Sequence, residues 1–260
     1  MADAARMGLF LNEETITELN LLHLALNHQH QGLKIKVYTK QQERKLGADW
    51  AWCFMHDERA VAMRVQAKRL YSGAKYNALK PQGNQIDCLI KQAGKEHHHP
   101  FYVFYNDGIE GAKCLKAGQP SRCGCCSSLC DEDWGCMIAH AQDVRSTKFN
   151  TMVGLLPISM PWHCMLCPHR ARVGPSSVGM TLPDIVAASL STLKSEDAGD
   201  RRPIEPGEPP EWVDLLQRLP MPDKTTMASG EPTASESALN KYLKEHELFG
   251  LVLFSGSLED

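Results

Sequence analysis

Two stretches constrain this chain more than any other: DWAWCF at 49–54 and VAMRVQAKR at 61–69, joined by the polar run HDER at 56–59. Both are strand-like, and the break between them predicts an antiparallel hairpin with a loop of moderate length. Residues two apart on a strand project to the same side, so Arg64, Gln66 and Lys68 share one face and leave Val65 and Ala67 for the core. On the preceding strand Asp49 shares a face with Ala51 and Cys53, opposite Trp50 and Trp52, which are expected in the core.

The flanking segments complete an α/β unit. The first 30 residues predict one helix with a broad apolar face of Ile16, Leu19, Leu22 and Leu26, beside Leu21 and Leu24. Asn12 is a candidate cap, and Thr15 followed by Glu18 matches a capping box. KIKVYT at 34–39 alternates as a strand, and a polar helical turn follows at 41–46. Asn84–Ala93 predicts a helix with Ile86, Leu89 and Ile90 inward, and FYVFY at 101–105 predicts a buried strand. The order helix, three strands, helix, strand ends near residue 106.

Composition sets the outer bounds. With 260 residues, 43% hydrophobic and 23% charged, the chain suits one large globular domain, or one domain with a small attachment, not a collagen, a coiled coil or a disordered chain. No run approaches the roughly 18 apolar residues of a membrane helix, and the start lacks a basic-then-apolar secretory signal. Ten cysteines in that setting point to reduced thiols and a cytoplasmic location. We divide the chain into a core over 10–110, a cysteine-rich helical extension over 111–194, a mostly flexible linker over 195–236 with seven prolines, and a C-terminal helix and strand over 237–260. Within these, Ala139–Lys148 and Leu182–Leu193 predict helices, EWVDLLQRL at 211–219 a short docking helix, and GLVLF at 250–254 a strand returning to the sheet.

The chemistry concentrates between Gly47 and Leu70. If the hairpin brings Asp49 beside Gln66 and Lys68, a carboxylate, an amide carbonyl and an ammonium meet. Carboxylate and carbonyl oxygens are hard ligands for magnesium, or manganese in its place, and a lysine neutralises charge developing on a phosphate. This trio suits metal-assisted phosphodiester hydrolysis, and a second acid is expected from Glu14 or Glu18, four apart on the first helix.

Asp49 with Gln66-Ala67-Lys68, in this element order, resembles the PD-(D/E)xK or restriction-endonuclease-like nucleases, in the branch where glutamine replaces the second acid. The resemblance spans about residues 12–106. It implies Asp49 and Gln66 as metal ligands, Lys68 as the catalytic lysine, Glu14 or Glu18 as the helix acid, DNA or RNA as substrate, and a place in bacterial defence. More narrowly, GADWAW, RVQAKRL and PWHC (161–164) are similar to an uncharacterised bacterial family.

Charge distribution agrees with a nucleic-acid partner, DNA being favoured. Although the formal net charge is −3, Arg64 to Lys95 holds seven basic residues against Asp87 alone. Arg64, Arg69, Lys75 and Lys80 are candidate phosphate contacts, with Tyr71 and Tyr76 placed to stack on bases. A second centre is expected at Cys123, Cys126, Cys164 and Cys167, two CxxC pairs able to hold a structural zinc across a 37-residue insert. His97–His99 and His169 read as surface residues. The rival readings are a zinc-stabilised nucleic-acid-binding or interaction protein without catalysis, and a cysteine-dependent enzyme, which requires a histidine beside an exposed thiol.

Overall fold

The computed structural model describes residues 7, 13–28, 32–37, 50–77, 79, 83–106, 113–115, 134–167, 179–193, 201–219 and 233–255. The predicted helix at the start is α1, Glu13–His28, and the hairpin is β2, Trp50–His56, with β3, Arg59–Arg69. Strand β1 spans Leu33–Val37, helix α2 Asn84–Lys95 and strand β4 His99–Tyr105, in the expected order. The hairpin turn is tighter than the sequence suggested. Pairing runs to His56–Arg59, leaving only Asp57 and Glu58 in the turn, with Asp57 at a φ of 51°. Aspartate is one of the few residues that tolerate that left-handed conformation.

Four further elements follow β4 closely: β5 (Cys136–His140), α3 (Ala141–Thr147), α4 (Met152–Leu155) and β6 (Ser159–Pro161). The expected helix from Ala139 therefore starts two residues later, because Cys136–His140 pairs antiparallel with β4. Helices α5 (Leu182–Ser191), α6 (Glu211–Gln217) and α7 (Ala234–His246) lead to β7, Gly250–Ser255. The sheet is mixed, in the order β1-β7-β2-β3-β4-β5-β6. The returning strand does not add to an edge. It inserts between β1 and β2, antiparallel to the first and parallel to the second.

Strand periodicity divides the sheet into two faces. On one, Ala51, Cys53, Leu70, Tyr102, Phe104, Leu251 and Leu253 meet Ile86 and Leu89 of α2, Trp212 of α6 and Leu239 and Leu243 of α7. On the other, Trp50, Trp52, Val65, Ala67, Phe101, Val103 and Val252 meet Ile16 and Leu21 of α1 and Val186 and Leu190 of α5. Both tryptophans of the hairpin lie in the core, as expected.

Two expectations about polarity are corrected. Helix α1 buries Ile16, Thr17 and Leu21, whereas Leu19, Leu22 and Leu26 are 51%, 55% and 66% exposed. The helix is apolar around much of its circumference, so periodicity alone did not fix the inward stripe. The Thr17 hydroxyl, which shares a hydrogen bond of 2.9 Å with the Tyr105 hydroxyl, marks the stripe that faces the sheet. Thr15 lies inside the helix and is not its N-cap, while Asn12 falls outside the described residues. Residues 201–219 are packed structure, not free linker. Gly207 exchanges backbone hydrogen bonds with Ala60 at 2.8 and 2.9 Å, Trp212 is buried, and the predicted short helix is α6.

Gly250, where β7 enters the sheet, allows the closest approach. A Cβ there would collide with the Trp50 ring and lie 2.8 Å from the Lys36 carbonyl oxygen. Gly250→Ala is expected to destabilise the fold by about 1–3 kcal/mol, since both neighbours are held in the sheet. A urea midpoint unchanged from wild type would contradict this.

Candidate functional site

The alternation of β3 places Gln66 and Lys68 on the face that carries Leu70, opposite Val65 and Ala67. Gln66 pairs with Tyr102 and Lys68 with Phe104 across the parallel β3–β4 ladder. Both side chains are nearly closed off, at 2% and 4% exposure. Among the described residues the Gln66 Oε1 has no hydrogen-bond partner and no carboxylate forms an ion pair with Lys68. Among the described residues a buried acceptor without the partner that burial normally demands thus sits on the same face as Lys68.

The other expected members of this site are placed differently. Asp49 lies outside the described residues, one position before Trp50, which pairs with Val65. Helix α1 packs on the Val65–Ala67 face, so Glu18 belongs to the side of the sheet opposite Gln66 and Lys68. This corrects the expectation that Glu18 completes a metal site with them. Glu14 also belongs to α1, but its side chain is outside the described residues. The acid that does reach the end of β3 is Glu13, whose Oε1 accepts the Arg69 backbone N–H at 2.9 Å. Sequence spacing gave no reason to prefer it, because the contact depends on how α1 crosses the strand end.

The expected phosphate contacts separate in the same way. Arg64 is not available: it is 1% exposed, donates to Glu96 Oε1 at 2.6 Å, and also donates to the His246 carbonyl. Arg69 lies over the Tyr71 ring, 5.4 Å from its centroid, and Lys75 is exposed. Lys80 is outside the described residues. Tyr71 is accessible, but Tyr76 is buried and donates its hydroxyl proton to Asn106 Oδ1 at 2.5 Å. Its expected role in base stacking is thereby corrected.

A polar cluster that the sequence did not single out surrounds Arg64. Glu96, just beyond α2, faces Arg64, His98 and His246 together. His246 Nδ1 lies 2.9 Å from Glu96 Oε1 and His98 Nδ1 lies 3.0 Å from Glu96 Oε2. Burial pushes the Glu96 carboxyl up, but its pairing with His98, the Arg64 charge and its hydrogen bond with His246 outweigh that and hold it at about 2. Tyr242 stacks on His246 with ring centroids 4.0 Å apart. The His97–His99 run is not simply a surface loop, since His98 and His99 are buried. Its position directly before a buried strand was the available signal.

Residues 1–259 match the model of a family of unknown function, DUF6615. The chain belongs to that family. No curated protein and no solved structure matches it. In this DUF6615 chain Trp52 of GADWAW and the partly buried Trp162 of PWHC pack edge-to-face with centroids 5.4 Å apart.

Among the described residues, no three or more His, Cys, Asp or Glu side chains converge as a metal site would. Of the expected zinc ligands, Cys164 is buried with its Sγ 3.6 Å from His163 Nε2, and Cys167 is partly buried. Cys123, Cys126 and His169 lie outside the described residues. Burial pushes the Cys53 thiol up to about 12 and the Cys136 thiol higher still, which removes both as thiolate nucleophiles. No described helix is long and apolar enough to cross a membrane.

Proposed function

We propose that the β3 face carrying Gln66 and Lys68 is the centre of a metal-dependent phosphodiesterase acting on DNA or RNA. The observation that carries this reading is the Gln66 Oε1, unpartnered among the described residues and buried on the same face as Lys68. A carbonyl oxygen of this kind fits one position in the oxygen shell of magnesium, and Asp49 is the carboxylate proposed to hold the ion with it. Glu18 does not fit, because α1 covers the other face. When bound, such an ion polarises a phosphate and acidifies a water. Lys68 holds positive charge beside the scissile phosphate, where the transition state gains negative charge. A defence role rests on superfamily analogy alone.

A second reading, nucleic-acid binding without catalysis, is favoured by the near-complete burial of Gln66 and Lys68. The two separate on one comparison: wild type against Lys68→Ala and the volume-preserving Lys68→Met, on plasmid, single-stranded DNA and RNA with magnesium or manganese. Catalysis predicts cleavage by wild type that falls about 100-fold or more in both variants, as removal of one transition-state donor does. Thermal melting checks that the variants are folded. Equal cleavage by all three proteins eliminates Lys68. Retained binding with no cleavage by wild type selects the second reading.

A further inference from the structure

Two stretches of the chain contain no aspartate or glutamate, residues 59–86 and 144–183, and the fold joins them just past Lys68. The first holds β3 and the turn that follows it, and the second begins within α3. Tyr71 bridges antiparallel to Lys75, and Lys75 in turn to Thr151. Backbone hydrogen bonds close the arrangement. The Tyr71 N–H donates to the Lys75 carbonyl at 2.9 Å, Tyr76 N–H to that of Asn150 at 2.8 Å, and Met152 N–H to that of Ala74 at 3.1 Å.

Residues directly opposite in an antiparallel pair share a face, and alternation assigns the others. Tyr76 and Met152 are buried, so Tyr71, Lys75 and Thr151 face outward, with Phe149 two residues before Thr151. Phe149 is 57% exposed and Tyr71 38%. Both rings are held in place. Phe149 is seated on Gly154, where a Cβ would lie 2.6 Å from the Phe149 Cβ, and the Arg69 guanidinium covers one side of Tyr71. The buried Tyr76 hydroxyl pins the turn beneath them to Asn106, just after β4.

The charge on this face is one-sided. Lys148 takes a left-handed φ of 62°, which ends α3 and turns the chain towards Phe149. Among the described residues neither Lys148 nor Lys75, both exposed, forms an ion pair. Exposed rings interleaved with unneutralised ammonium groups suit a ligand that offers flat π faces along an anionic backbone. The bases of a duplex are stacked on one another and offer no such face. A single strand does.

We propose that this patch binds single-stranded nucleic acid, with Tyr71 and Phe149 stacking on unpaired bases and Lys75 and Lys148 lying along the phosphates. The patch follows directly on the end of β3 that carries Lys68, so the bound strand is the substrate of the Gln66–Lys68 site. That last step rests on the phosphodiesterase reading, whereas the binding does not.

The test is fluorescence anisotropy of the full chain with divalent metal chelated, so that nothing is cut. The probes are labelled oligothymidylate and oligouridylate of about 12 nucleotides, within the ~4–16 nucleotides that such surfaces cover, an abasic strand of equal length and a blunt duplex. The base-bearing strands are expected to bind at least tenfold more tightly than the abasic strand and the duplex, and the tighter of the two assigns DNA or RNA. Phe149→Leu keeps an apolar side chain over Gly154 but has no π face. It and Tyr71→Leu are each expected to weaken binding about tenfold, the effect of one lost stack, while Phe149→Trp binds at least as well as wild type. Thermal melting checks that each variant is folded. Lys75→Gln and Lys148→Gln are each expected to lower the slope of log affinity against log salt by about 0.7. Absence of saturable binding overturns the proposal, as does an abasic strand bound as tightly as the others or wild-type affinity in both leucine variants. Stacking-dependent binding without cleavage in metal removes the phosphodiesterase reading and leaves the patch standing. Cleavage of single strands that both leucine variants match does the reverse.

Discussion

Arg201→Ala is expected to cost about 3–5 kcal/mol of stability, the usual loss when one partner of a buried ion pair is removed. The Arg201 Nη1 donates to Asp143 Oδ2 at 2.8 Å, and Asp143 is wholly buried at the start of α3. The same guanidinium donates to the Leu190 carbonyl at 3.1 Å and to that of Leu193, so it also closes the C-terminal end of α5. Removing it strands a carboxylate in the core and takes the side-chain donor from two carbonyls at the end of α5. The start of α3, the end of α5 and the segment from residue 201 lose their common tie. Urea unfolding measures the loss directly. The double variant Arg201→Met with Asp143→Leu is expected to recover most of it, because removing both charges abolishes the unpaired group. A single variant within about 0.5 kcal/mol of wild type, the range of ordinary surface changes, would show that the pair is not integral to the core.

Stability should also fall on mild acidification, before the carboxylates titrate. Burial, followed by the charges of Arg202 and Arg201, pushes His99 down to about 4. His140 is driven well below its ordinary range by burial, then by Arg201 and His99. Both rings are neutral in the folded chain, whereas the unfolded chain takes up protons near pH 6.5. The unfolded state therefore binds more protons between about 6.5 and 4, and stability present above 6.5 is lost as pH falls through that window. The His99 displacement alone corresponds to on the order of 3 kcal/mol. Glu96 adds a second phase of the same sign: its stabilisation is present above about 4.5 and drains as pH falls towards about 2. Urea midpoints at pH 7.5, 6.5, 5.5 and 4.5 should decline from the first step, with a shallower decline in His99→Gln. A flat profile down to pH 5 would rule out the histidine contribution.

The candidate site was legible only as far as strand periodicity reaches. Alternation alone placed Arg64, Gln66 and Lys68 on one face, because a strand's side-chain period is a local property. It could not say that Arg64 would be consumed by Glu96, a residue 32 positions away that arrives with the crossover helix. Nor could it put α1 on a particular face. Glu18 was a reasonable acid by spacing, yet the helix that carries it packs against Val65 and Ala67. The linker reading of 201–210 failed for a related reason. Proline and charge describe a segment's local preference, while the anchoring of Trp212 and the Arg201–Asp143 pair come from surfaces made elsewhere in the chain.

By itself the sequence determined the element types: the helix at the start, the hairpin, the buried FYVFY strand and a closing strand at 250–254, each written in local periodicity and turn chemistry. Tertiary structure alone decided that the closing strand enters between β1 and β2 at Gly250, that α1 turns its leucine stripe outward, and that Glu96 gathers Arg64 and two histidines. Those outcomes depend on which surfaces meet, and that is set by the packing of segments as much as 223 residues apart.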